Sequence, residues 1–284
     1  MKKRIVAGSA VAGLVAVVAL VATVTGAIAR SGANPLPASS CSAAQNSSGK
    51  YLIASDLPLQ GAGRTQTIEM TKAIAFILKQ HGWKAGKYTL AYQSCDDATA
   101  QAGKWDSGKC STNANAYAQD QDVVGVIGTF NSGCAEIEIP VLNRASNGPV
   151  ALISPANTYV GLTHGGPGTA AGEPGKYYPT GKRNYARVVA ADDYQGAADA
   201  LLAKSLGIKK LFILNDKEAY GLGVATNTKN AALKLGIKIV GFTAWDGKAS
   251  SYEATAAKIK KIFRVTSARV PFEREIADSI ATVA

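Results

Sequence analysis

The sequence predicts an α/β protein of two doubly wound lobes, the second incomplete, and three observations carry that prediction. Short uncharged runs such as Val123–Gly128 and Pro149–Ile153 each end in a polar loop, as strands buried in a parallel sheet do. Between such runs lie longer stretches whose apolar residues recur about every 3.6 positions, the signature of helices packed on a sheet. The alternation holds from Tyr51 to Lys261 and then stops, so that lobe one spans 50–188, a partial lobe two spans 189–261, and 262–284 is an atypical tail.

The chain opens with Lys2-Lys3-Arg4 followed by an apolar run to Ala29, which reads as an export signal over residues 1–30. The run is also long enough to span a bilayer, so it is either cleaved or kept as an N-terminal anchor, with a lipid on Cys41 as a third possibility. Residues 31–49, rich in Ser, Ala, Asn and Pro, read as a flexible tether. Tyr51–Asp56 is the first expected strand, Thr65–His81 an amphipathic helix ended by Gly82, and Tyr88–Tyr92 a second strand. A helix over Cys110–Gln119 leads into the strand Val123–Gly128, expected to be buried on both faces. The next helix starts at Ser132–Gly133 and is kinked or limited by Pro140.

After Pro149–Ile153 comes Thr163–Arg183, glycine- and proline-rich and without periodicity, which is expected to form a surface insertion or lid. Tyr185–Val189 crosses towards lobe two. Asp192-Asp193 is expected to cap a helix reaching Leu206; Lys210–Leu214 and Ile237–Phe242 are strands, and Tyr220–Leu235 and Tyr252–Lys261 are helices.

Composition excludes several classes of function. The 284 residues are 47% hydrophobic, enough for about two packed domains. The net charge is +11, but Lys2, Lys3, Arg4 and Arg30 contribute four of it, leaving +7 spread over predicted helix faces. No basic stripe with interleaved aromatics appears, so nucleic acid is not an expected partner. With two histidines and no C-x-x-C spacing, no metal or cofactor is expected; Gly165-Gly166-Pro167-Gly168 lacks the lysine-serine ending of a phosphate loop. No nucleophile elbow or acid/base pair is present, and Asp96-Asp97 reads as structural. Export permits disulfides. Cys95 and Cys110 bracket a turn-rich loop and are expected either to pair or to remain free thiols, which leaves Cys41 and Cys134 unassigned.

In an open α/β sheet, ligands bind beyond the carboxyl ends of the strands, where helix N-termini offer N–H groups to anions. Ser132 and Thr158 would place hydroxyls there, assisted by the N–H groups of Gly133 and Ala156. The segments GVIGTFNSGCA, ALISPANTYVGLT and LNDKEAYGLG resemble the extracytoplasmic solute-binding proteins of ABC transporters, branched-chain amino acid class, over roughly Lys50–Lys261. The resemblance implies two Rossmann-like lobes of the type I periplasmic binding protein fold. It implies that Ser132, Ala156 and Thr158 hold a ligand carboxylate and that Tyr220 lines the other lobe. Gly133-Cys134 departs from the small hydroxyl residues usual there. The implied role is capture of a small amino-acid-like solute for a membrane permease, with any membrane contact through the N-terminal segment. A ligand-sensing ectodomain and an exported enzyme using the same cleft are the alternatives. The family would add further strands and a lobe-two acid for a ligand ammonium, and neither is visible here.

Overall fold

The computed structural model describes residues 32–247 and 249–263. The expected export segment and the tail from residue 264 lie outside them. Lobe one contains β1 (Tyr51–Leu57), α1 (Arg64–Gln80), β2 (Lys84–Ala85), β3 (Tyr88–Asp96), β4 (Ala98–Thr99), β5 (Lys104–Trp105), α2 (Ser107–Gln119), β6 (Val123–Gly128), α3 (Ser132–Asn143), β7 (Ala151–Ser154) and β8 (Tyr185–Arg187). Lobe two contains α4 (Asp192–Ser205), β9 (Lys210–Asn215), α5 (Ala219–Lys234), β10 (Lys238–Ala244) and α6 (Glu253–Phe263).

The main sheet has the order β2-β3-β1-β6-β7-β8, parallel except for the β2–β3 edge. The chain leaves β1 on one side to form β3 and returns on the other side as β6, so the topological switch lies between β1 and β6. Its core joins Leu52, Ala54, Val126 and Leu152 to Tyr117, Ile139 and Leu142 of α2 and α3. Val123–Gly128 is not buried on both faces as expected. Val124 on β6 and Ile153 on β7 are 43% and 45% exposed, because α2 and α3 cover one side of these strands and their own side chains point to the other.

Lobe two is built on two parallel strands, β10 and β9, with a small core around Ala200, Ala232 and Ile237. Among the described residues the outer edge of β9 is unpaired. Leu201, Leu202, Leu206 and Leu233 remain more than half exposed, consistent with an incomplete second lobe.

Three further expectations need correction. Residues 32–49 are not a free tether. The Leu36 N–H donates to Gln93 at 2.7 Å, and Cys41 and Gln45 pair with Cys95 and Tyr92 along the edge of β3, satisfying strand-edge groups that would otherwise face solvent. Cys95 does not pair with Cys110: the disulfides are Cys41–Cys95 and Cys110–Cys134. The 96–109 segment folds as the β4–β5 hairpin, which leaves Cys95 against the N-terminal segment, while packing of α2 on α3 brings together the cysteines in their first turns. Cys41 therefore has no thiol for a lipid. Asp192 does not cap α4 either. Ala191 holds the cap position, no side-chain cap forms, and Asp192 sits in the first turn with its carboxylate turned into the protein.

The 163–183 segment forms loops around a 3-10 turn at Gly175–Tyr177. It is fastened to lobe one by Tyr178, whose hydroxyl donates to the Leu162 carbonyl at 2.5 Å, and by Tyr177, which reaches both Glu136 and Glu173. Pro140 lies inside α3 without ending it. No described helix is long and apolar enough to cross a membrane.

Candidate functional site

The carboxyl ends of β6 and β7 are held together by side chains that serve backbone groups. Ser154 Oγ donates to the Thr129 carbonyl at 2.9 Å and accepts from the N–H groups of Ala156 and Asn157 at 3.1 and 2.7 Å. Asn157 Nδ2 donates to Thr129 Oγ1 at 3.2 Å, tying the second loop to the first. Gly128, the last residue of β6, has no room for a side chain, since a Cβ would lie 2.5 Å from the Asp56 carbonyl oxygen. The two loops therefore sit close together above β1, as the switch-point rule requires.

Ser132 begins α3 and is buried. Its Oγ accepts from the N–H groups of Thr158 and Tyr159, both at 3.3 Å, which leaves its own proton to donate. The sequence brought Ser132, Gly133, Ala156 and Thr158 to one place, and the structure joins them. Their roles differ from expectation in one respect. The Ala156 N–H is taken up by Ser154 and is not offered to a ligand, because the serine needs that bond to close the loop. The Thr158 hydroxyl is buried and faces the carboxylate of Asp192.

Beside Thr158 stands Asp192, the first residue of α4. Its N–H donates to the Thr158 carbonyl at 2.9 Å, and its fully buried carboxylate faces the Thr158 hydroxyl. Burial pushes this carboxyl up to about 6, against the opposing pull of the nearby Thr158 hydroxyl and Arg187. Arg187 itself donates to the Tyr159 carbonyl at 2.9 Å.

Gly133 is covered by Trp105 of the β4–β5 hairpin. A Cβ on Gly133 would lie 2.6 Å from ring carbons of that indole. Trp105 Nε1 in turn donates to Glu218 Oε2 of lobe two at 2.9 Å, and Lys104 pairs with the other Glu218 oxygen. The hairpin thus spans from the first turn of α3 to the start of α5. Tyr220 is placed elsewhere: it lines a groove of about 580 Å³ within lobe two, together with Leu211, Ile213, Trp245, Ile259 and Phe263.

Sequence reasoning missed Trp105, Glu218 and the turned-in carboxylate of Asp192. A tryptophan in a turn-rich loop was the one available signal. The positions of Glu218 and Asp192 depend on how the lobes meet, which local pattern does not contain.

The fold is that of the type I periplasmic solute-binding proteins. The leucine-binding protein LivK from Thermotoga maritima matches over 75% of this chain and 53% of its own, with 18% identity and a TM-score of 0.60. A solute-binding protein of an R. palustris ABC transporter, in complex with 4-hydroxybenzoate, matches over 75% and 51%, with 16% identity and a TM-score of 0.61. An ABC transporter substrate-binding protein from Desulfitobacterium hafniense in complex with Leu matches over 76% and 56%, with 20% identity and a TM-score of 0.53. The chain thus spans about half the length of these solved proteins. No protein-family profile matches the sequence, and no curated protein does.

Proposed function

We propose that this chain belongs to the extracytoplasmic substrate-binding part of an ABC transporter, capturing a small carboxylate-bearing solute, an amino acid or a related acid, and presenting it to a permease. It binds and does not turn over its ligand. The observation that carries this reading is the meeting of Ser132 Oγ with the Thr158 and Tyr159 N–H groups beside the buried Thr158 hydroxyl. In this reading a ligand carboxylate takes the Ser132 proton, the Thr158 hydroxyl and the first-turn N–H groups of α3, charge-assisted bonds that outweigh neutral ones. Trp105 covers that turn and would stack on the ligand. On the lobe-two side Glu218, on the segment leading into α5 and bonded to Trp105, would face the ligand in this reading.

Thermal melts of the purified chain against leucine, benzoate, 4-hydroxybenzoate and uncharged amides test the proposal. A ligand at 100 times its dissociation constant stabilises by roughly 2.7 kcal/mol. A shift confined to carboxylates supports the reading, and the absence of a shift with any of them removes it.

A further inference from the structure

Strand β9 lies parallel to β10 on one side, and its other edge is unpaired among the described residues. The Lys209 and Asn215 carbonyls accept the Lys238 and Trp245 N–H groups, and so face β10. Backbone groups of successive residues in a strand point to opposite sides, so those of Lys210, Phe212 and Leu214 face the open edge. The groove of about 580 Å³ runs along this edge: every residue of β9 lines it, together with Val224 of α5 and Ile259 and Phe263 of α6. Free N–H and C=O groups in an apolar groove are the template for a further strand.

We propose that this edge is where two copies of the chain associate, β9 pairing antiparallel with β9 of the second copy about a two-fold axis at Ile213. The result is a four-stranded sheet of order β10-β9-β9-β10. Charge at the ends of the strand identifies the occupant as a second copy. Lys210 begins β9 and Asp216 follows it; both line the groove, and neither takes part in an ion pair among the described residues. In antiparallel pairing about Ile213, Lys210 of each copy stands opposite Asp216 of the other, so an opposite-charge pair closes both ends. A two-fold axis requires such a self-complementary patch.

The backbone allows this register. Phe212 and Leu214 both face the edge, and here each stands opposite the other and exchanges both hydrogen bonds with it, on either side of the axis. Ile213 meets its own mate as a β-branched pair. Only registers that differ by two residues keep outward groups opposite outward groups. A shift by two in one direction sets Lys210 against Leu214, and in the other it sets Phe212 against Asp216, so charge and apolar character agree only about Ile213. Between Lys210 and Asp216 the strand reads Leu-Phe-Ile-Leu-Asn, without the proline or charge that shields a solvent-facing edge.

The test uses the full chain. All four cysteines are bonded, so Ile213→Cys carries a single thiol. Its Cα stands about 4.5 Å from its mate, within reach of a disulfide. Oxidised Ile213→Cys should run as a covalent dimer, whereas Leu211→Cys, opposite Asn215, should not. Sedimentation should show a dimer whose dissociation constant rises about tenfold in Lys210→Glu and returns when Asp216→Lys is added. Residues 5–29 are apolar and can hold copies together by themselves, so position-specific effects decide and not mass alone. A monomer, equal cross-linking at 211 and 213, or a dissociation constant unmoved by Lys210→Glu would overturn the proposal. So would a chain that dimerises only after removal of residues 264–284, which would give the edge to that segment. Lys210 is exposed, so its variant decides even if Ile213→Cys fails to fold.

Discussion

Trp105 lies so close to Gly133 that a single added methyl at that glycine would sit 2.6 Å from two carbons of the indole ring. The indole cannot easily retreat, because its Nε1–H is held by Glu218 of lobe two at 2.9 Å. Gly133→Ala should therefore destabilise the protein by about 1–3 kcal/mol, the usual range for overpacking. Trp105→Ala in the same chain should remove most of that penalty. A double-mutant cycle by urea unfolding measures the coupling; additive effects would mean that the two residues do not press on each other.

Thr158 offers a cleaner probe of binding than Ser132, since Ser132 Oγ also closes the turn to Thr158 and Tyr159. The Thr158 hydroxyl is buried against the Asp192 carboxyl, so Thr158→Val should cost the free protein no more than about 1 kcal/mol. Affinity for a carboxylate solute should fall about tenfold or more, the cost of one charge-assisted bond. Calorimetric titration of both proteins reads this directly.

The disulfides set a third expectation. Peptide mapping without reduction should recover Cys41–Cys95 and Cys110–Cys134 and no Cys95–Cys110 peptide. The bridges close 54 and 24 residues of chain. In the chain-entropy treatment these loops correspond to about 4 and about 3.5 kcal/mol, so Cys41→Ser should cost somewhat more stability than Cys134→Ser if strain is equal.

Asp192 makes stability depend on pH. Its carboxyl lies at about 6 in the folded protein against 3.8 in an exposed chain, chiefly through burial. The native state thus holds a proton that the unfolded chain releases between those values. Its stabilising effect is complete below pH 3.8 and is lost as pH rises through about 6. Asp192→Asn should match wild type at pH 4 and exceed it at pH 8 by roughly 1–3 kcal/mol. Urea midpoints at the two pH values decide the matter; an equal difference at both would refute the assignment.

Much of the fold was legible because periodicity is local. Val123–Gly128 announces a strand by its β-branched run, and α3 begins at Ser132 where the polar loop ends. The gathering of Ser132, Gly133, Ala156 and Thr158 followed from strand order alone, since loops after neighbouring parallel strands open on the same edge. The sequence context of Tyr220 speaks only of the start of α5, and the lobe-two groove it lines with Trp245 and Phe263 is assembled from distant parts of the chain.

What the sequence by itself determined is the alternation of strands and helices, the two lobes and the edge on which the loops converge. All of these rest on apolar periods readable within a few turns of chain. Only the tertiary structure decided that Cys95 meets Cys41, that Cys110 meets Cys134, and that Trp105 reaches Glu218 113 residues away. Those pairings depend on how α2 and α3 lie across the sheet and on how the lobes meet. Packing energy summed over the whole core sets that geometry, and no local pattern records it.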